Sequence, residues 1–173
     1  ITERKKYEVS KLKKRNSYSS LEKSSYFNIP SKNLAKRILD NEISIIAEHK
    51  RKSPSKSEIN FFSKTEDVAS GYEKNGAVGI SILTDEYFFG GSNNDLKIVK
   101  EICNIPVLRK DFIVDEYQIV ESKSIGADTI LLIAAILSDK QILKFSKLAK
   151  RLGLGVLTEI HSLDDLLVYW LLC

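Results

Sequence analysis

The chain has 173 residues, 43% hydrophobic and 29% charged, with a formal net charge of +4, the mix of a globular domain rather than a disordered segment. No run approaches the roughly 20 apolar residues of a membrane helix, and the charged opening Ile1-Thr2-Glu3-Arg4-Lys5-Lys6 has no apolar stretch of a secretory signal behind it. Cys103 and Cys173 are too few for a disulfide framework, and with His49 and His161 they lack zinc-ligand spacing, so the expectation is a cytoplasmic protein with no bound metal.

Arg4, Lys5, Lys6, Lys11, Lys13, Lys14 and Arg15 crowd the N-terminus, with Glu3 and Glu8 interspersed. No nucleic-acid motif follows, so the segment reads as a solvated amphipathic helix, with Tyr7, Val9 and Leu12 supplying its contacts. Residues 1–42 form a basic helical extension in this reading, and residues 43–173 a second, regular unit. Apolar runs at 43–47, 77–83, 105–108, 129–133 and 155–160 read as strands. Helix starts fall between them at Thr65-Glu66-Asp67, Asn94-Asp95, Asp115-Glu116 and Ser138-Asp139. A fifth helix is expected from Ser162 with Asp164-Asp165. Strands alternating with helices in this way predict repeated βα units and a parallel sheet.

The end of the first strand carries the most chemistry. Ile45-Ile46-Ala47 is apolar, and Glu48 and Lys50 follow at a spacing of two, which puts both side chains on one strand face. A carboxylate and an ammonium at the end of a buried strand are costly to desolvate. Ser53-Pro54-Ser55 then turns the chain into a loop. Ionisable or polar groups recur at the matching point of later repeats: Thr84-Asp85, Lys110-Asp111 and Glu159. A doubly wound sheet would bring a glycine-rich phosphate loop after its first strand, and Gly90-Gly91-Ser92 is too short for one. Functional groups at several strand ends favour a (β/α)8 barrel. Taken singly, Glu48 with Lys50 is equally a local ion pair, and Lys110 with Glu159 a pair of rim salt bridges. His49 and His161 are expected on the opposite strand face or at a strand exit.

Four linked motifs carry a specific resemblance: Ile46-Ala47-Glu48-His49-Lys50-Arg51-Lys52-Ser53-Pro54-Ser55; Ser81-Ile82-Leu83-Thr84-Asp85 with Phe88-Phe89-Gly90-Gly91-Ser92; Leu108-Arg109-Lys110-Asp111-Phe112; and Gly126-Ala127-Asp128 with Leu131-Leu132-Ile133. Together they resemble the indole-3-glycerol phosphate synthase family, in order as far as about residue 162. The resemblance implies a TIM-barrel lyase of tryptophan biosynthesis. The family converts 1-(2-carboxyphenylamino)-1-deoxyribulose 5-phosphate to indole-3-glycerol phosphate, with loss of carbon dioxide and water and with no cofactor. It also implies roles for residues. Lys110 matches the general acid of ring closure, and Lys50, Glu48 and Glu159 match the groups that serve the dehydration. Phe89, Phe112 and Leu131 match the pocket for the aromatic half of the substrate, and Ser53 and Pro54 match the loop on its phosphate side. Here Lys56-Ser57 stands where family members commonly have glycine.

A complete barrel needs about 250 residues, and five of its eight strands are legible. The expectation is therefore a shortened copy, weak or inactive alone, that associates with a complementary chain or with itself through open sheet edges. The run 167–173 reads as an apolar helix that simply stops. Among enzymes the alternative is phosphoribosylanthranilate isomerase, another phosphate-binding barrel. That family would be expected to show a catalytic Cys near the end of the first strand, and Ala47-Glu48-His49-Lys50 contains none.

Overall fold

A computed structural model describes residues 1–60, 62–163 and 166. Three helices come first: α1 (Thr2–Arg15), α2 (Tyr18–Glu22) and α3 (Leu34–Leu39). Then follow β1 (Ile46–His49), α4 (Thr65–Lys74), β2 (Gly79–Leu83), α5 (Glu86–Phe89), α6 (Asn93–Ile102), β3 (Val107–Lys110), α7 (Glu116–Ser124), β4 (Thr129–Ile133), α8 (Asp139–Arg151) and β5 (Gly155–Glu159). All strand pairs are parallel, and the spatial order is the chain order, β1-β2-β3-β4-β5. A doubly wound sheet reverses direction at a switch point. An uninterrupted order instead winds each unit the same way, as in five consecutive units of a (β/α) barrel.

The helices start where the sequence supplies caps. Ser92 accepts from Asp95 N–H, Asp115 from Tyr117 N–H, and Ser138 and Gln141 form a capping box on α8. The expected strand 129–133 is found with those bounds. The first strand is not: it starts at Ile46 rather than residue 43 and runs on to His49. Ile43 and Ile45 are 83% and 63% exposed. Among the described residues β1 bonds only to β2, whose first paired residue, Gly79, faces Ile46, so Ile43 lies short of the paired stretch. Ile46, Ala47 and Glu48 are therefore half-buried rather than buried, and His49 alone of the strand is buried. β5 also pairs on one side only among the described residues, and Val156 and Leu157 are exposed. Leu166 N–H donates to Ser162 carbonyl (3.3 Å), a turn at the start of the expected fifth helix. Asp164, Asp165, Cys173 and the rest of 167–173 lie outside the described residues.

Register-paired residues share a face, so the sheet sorts itself. Ile80, Ile82, Val107, Ile130 and Leu132 face the helices and form the main core with Leu96, Val99, Ile142, Phe145 and Ala149. Glu48, Ser81, Leu83, Leu108, Lys110, Leu131, Leu157 and Glu159 share the other, inner face.

Helix α7 is buried from Tyr117 to Ser124 because α1 and α2 cover its outer side. Val9, Leu21, Tyr117 and Val120 pack together there, and Tyr117 hydroxyl donates to Asn16 carbonyl (3.0 Å). Lys123 ammonium donates to Ile29 carbonyl (2.8 Å) and Ser31 hydroxyl (3.1 Å). The contact face of α1 differs from the expected one: Val9 and Lys5 are buried, while Tyr7 is 60% exposed.

Asp128 braces the rim at which the strands begin. Its fully buried carboxylate accepts from Val107 N–H (2.9 Å), Lys32 N–H (2.7 Å) and Lys100 ammonium (2.6 Å). It thus ties β3 to β4, to α6 and to the segment before α3. Asp128→Ala would strand the Lys100 ammonium and two N–H groups, a loss of about 3–5 kcal/mol. Urea unfolding should show this as a lower midpoint at unchanged slope; a midpoint equal to wild type would contradict the bracing role.

Candidate active site

Alternation along the strands sets the polarity of the other rim. On β3, Lys110 points to the inner face, and Arg109 points outward into a buried cluster. Arg109 guanidinium reaches Glu121 (2.7 Å), Asp111 (3.2 Å), Thr84 hydroxyl (3.0 Å), Ser122 hydroxyl (3.1 Å) and Gln118 carbonyl (3.2 Å). Burial would push the Asp111 carboxyl up, but Arg109 and Lys5 outweigh it and hold it below its ordinary range.

On the inner face, Lys110 ammonium donates to Glu48 Oε2 (2.9 Å), and Lys50 ammonium lies 3.1 Å from Glu48 Oε1. One carboxylate from β1 therefore receives a cation on each oxygen. Burial works to raise its pKa, the Lys110 and Lys50 ammoniums work against it, and the net direction is down. Glu48 is thus held as an anion at neutral pH.

Beside this pair lies a cleft of about 210 Å³, lined by Lys110, Glu159, Phe89, Phe112 and Leu131, with Leu83 and Ile133 as its apolar walls. The Phe89 and Phe112 rings stack at 5.9 Å between centroids with 27° between planes. Glu159 also meets His161 Nε2 (3.1 Å). His161 stands at the strand exit, and His49 faces outward, buried near Thr65. Phe89 is positioned by the end of α5, where Gly90 takes φ 67° and closes the helix. Gly91 then passes so close to β2 that a Cβ would lie 1.8 Å from Leu83 carbonyl oxygen. The two glycines therefore serve the turn that delivers the Phe89 ring.

Ser53 and Pro54 are not brought to this cleft. They line a larger, open groove of about 1260 Å³ between α1 and the loops after β1 and β2. Residues 53–56 form a tight turn in which Ser53 N–H donates to Lys56 carbonyl (2.7 Å) and Lys56 N–H to Ser53 carbonyl (3.1 Å). Among the described residues only glycines adopt positive φ, so Lys56 and Ser57 complete the turn with ordinary backbone. Among the described residues no group of three or more His, Cys, Asp and Glu side chains is placed to hold a metal ion, and no helix is long and apolar enough to cross a membrane.

Sequence reasoning did not find the anchors beneath these side chains. Arg51, beside Lys50, turns away and binds both oxygens of Asp95 (2.7 and 2.7 Å), Thr65 hydroxyl (2.9 Å) and Gly90 carbonyl (3.2 Å). It fastens the loop after β1 to α6 and to the α5 turn. Lys5 reaches Asp85 and Asp111 from α1. Its one legible signal is a helical spacing of four from Val9, which sets the two on the same face.

Arg51, Ser92 and Thr65 hold the Asp95 carboxyl at about 2 against an ordinary 3.8, despite its burial. A depressed folded-state pKa adds stability above 3.8 that is lost as pH falls toward about 2. Over that window the fall in urea midpoint should be smaller in Asp95→Asn than in wild type. Equal falls would mean that the Arg51–Asp95 anchor carries none of the acid sensitivity.

The family model described as indole-3-glycerol phosphate synthase matches residues 1–169. The indole-3-glycerol phosphate synthase of Bacteroides thetaiotaomicron is 43% identical over 136 residues, which cover 79% of this chain and 52% of that protein. That of Leptospira interrogans is 52% identical over 122 residues, covering 70% and 48%. The chain spans about half the length of the curated relatives it matches. Among solved structures, a mandelate oxidase variant with (S)-mandelic acid aligns at a TM-score of 0.55 and 14% identity, over 82% of this chain and 50% of that one. The same oxidase with benzaldehyde aligns at 0.51 and 16%, over 62% and 42%. These two likenesses are of fold alone. With a family match running from the first residue through all five strands, the chain belongs to the indole-3-glycerol phosphate synthase family.

Proposed function

We propose that this chain carries the first five βα units of an indole-3-glycerol phosphate synthase, a carbon–carbon lyase of tryptophan biosynthesis acting on 1-(2-carboxyphenylamino)-1-deoxyribulose 5-phosphate. The observation that carries the reading is the convergence of Lys110, Glu159 and the Phe89–Phe112 stack on one cleft, with Glu48 and Lys50 held against Lys110.

The chemistry needs groups of these kinds. The anthranilate ring carbon attacks the substrate carbonyl carbon, and a C–C bond forms while the carbonyl oxygen gains charge. Lys110 is the acid that protonates that oxygen. Carbon dioxide then leaves, taking the carboxylate from the ring and restoring electrons to it. The new hydroxyl departs as water after a second protonation, and a base removes the remaining proton to give the indole. Lys50, Glu48 and Glu159 serve this dehydration. Phe89, Phe112 and Leu131 hold the aromatic ring in an apolar slot, which orients the carbon for attack. Every step is acid–base chemistry without net redox change, so no organic cofactor enters. The family resemblance assigns Ser53 and Pro54, which line the larger groove, to the phosphate end of the substrate.

The isomerase alternative gains no support, since Cys103 is buried at the end of α6 rather than at a strand end. A second reading has a specific observation behind it: the single-sided pairing of β1 and β5 favours a chain that works only against further strands. Phosphate binding in such barrels relies on the loops after strands seven and eight. Turnover, followed by the fluorescence of indole-3-glycerol phosphate, is expected to be very low for residues 1–173 alone. It should rise when a chain bearing strands six to eight of a family member is supplied. In that assembly Lys110→Met should lower kcat by about 100-fold or more. Undiminished turnover in Lys110→Met would overturn the assignment of the acid.

A further inference from the structure

Two buried carboxylates anchor the loops that carry the cleft aromatics. Asp85, just past β2, accepts from Phe88 N–H (2.7 Å) and so fixes the short helix that presents Phe88 and Phe89. Asp111, just past β3, accepts from Phe112 N–H (2.8 Å) and from Thr84 hydroxyl (2.7 Å). Beyond the Thr84–Asp111 bond the two loops meet through their aromatic rings, Phe89 stacked on Phe112 and Phe88 edge-on to it at 6.1 Å. Beneath those rings one cation joins the anchors: Lys5 ammonium lies 2.5 Å from Asp85 Oδ2 and 3.0 Å from Asp111 Oδ1, with Glu8 at 3.2 Å. Lys5 belongs to α1, in the N-terminal extension, yet it is 6% exposed, while the other cations of the helix are all exposed.

We infer that Lys5 is a positioning residue for the cleft: by drawing Asp85 and Asp111 to one ammonium, it sets the separation of the Phe89 and Phe112 rings and the direction of Lys110 between them. The inference rests on the synthase reading for its effect on turnover, but not for its effect on geometry. Two adjacent buried carboxylates repel, and without a cation the loops would part or one carboxyl would take up a proton. Arg109 already neutralises Asp111 from the other side. The group that depends on Lys5 alone is Asp85, and with it the α5 turn.

The test uses the 173-residue chain labelled with para-fluorophenylalanine, whose fluorine resonances respond to stacking. Lys5→Met keeps the apolar stem and removes the cation. It should move the resonances of Phe88, Phe89 and Phe112 and leave that of Phe145, in the α8 core, in place; Lys5→Arg should restore them. If Lys5→Met does not fold, the double variant Lys5→Met with Asp85→Asn removes cation and anion together and is read in the same way. Unmoved Phe88, Phe89 and Phe112 resonances in a folded Lys5 variant would overturn the inference. In the assembly completed with strands six to eight, Lys5→Met should lower kcat about tenfold, with KM changed less and kcat recovered in Lys5→Arg. An inactive wild-type assembly would sink the synthase reading while leaving the fluorine result to decide this one.

Discussion

The Glu48–Lys110 contact is the constraint around which the inner face is arranged. It spans from β1 to β3, passing over β2 at Ser81 and Leu83, and it joins strands that do not pair with each other. Strands two positions apart lie nearly 10 Å from each other, a gap that the long Glu48 and Lys110 side chains close by reaching toward each other across β2. Lys50 takes the second oxygen of the same carboxylate, so the half-buried anion is paired on both oxygens and two cations against one carboxylate leave the site net positive. Lys110 in turn stands at the mouth of the cleft that Phe89, Phe112, Leu131 and Glu159 line.

The two rims of the sheet hold different kinds of buried charge. Where the strands begin, Asp128 is a backbone clamp whose partners are N–H groups and one lysine. Where they end, carboxylates and cations work in chains: Arg109 with Asp111, Asp111 with Lys5, Lys5 with Asp85, and separately Arg51 with Asp95. Each chain joins a strand-end loop to a different element, α1 in one case and α6 in the other. This division follows the general plan of barrels, in which one face carries stability and the opposite face carries chemistry. Here the stabilising pairs extend to the chemical rim as well, beneath the side chains that line the cleft.

Much of this was legible in the residues and some was not. Continuous apolar runs and Ser or Asp caps located β4, α7 and α8 because local signals and tertiary packing agree there. The start of β1 was misplaced, since Ile43 and Ile45 are as apolar as Ile46 and only the pairing with Gly79 separates them. Helix α7 gave no one-sided apolar stripe because it is covered on both sides, by the sheet and by α1 and α2, so Gln118, Glu121 and Ser122 are buried with partners. Glu48, Lys50, Lys110 and Glu159 stood out through their positions at strand ends. Phe89 and Phe112 were distinguishable from ordinary core only through the family resemblance. Lys5 was hidden among seven similar cations, because nothing within α1 reveals the two carboxylates that sit 80 and 106 residues further along.

The account makes the charge state of Glu48 its most exposed point. A carbon-13 NMR titration of the Glu48 carboxyl, in wild type and in Lys110→Met, measures it directly. The structure predicts a wild-type midpoint below 4.5, because two ammoniums outweigh burial, and a higher midpoint once Lys110 is removed. A wild-type midpoint at or above 4.5 that Lys110→Met leaves unmoved would contradict the pairing on which the inner face is built.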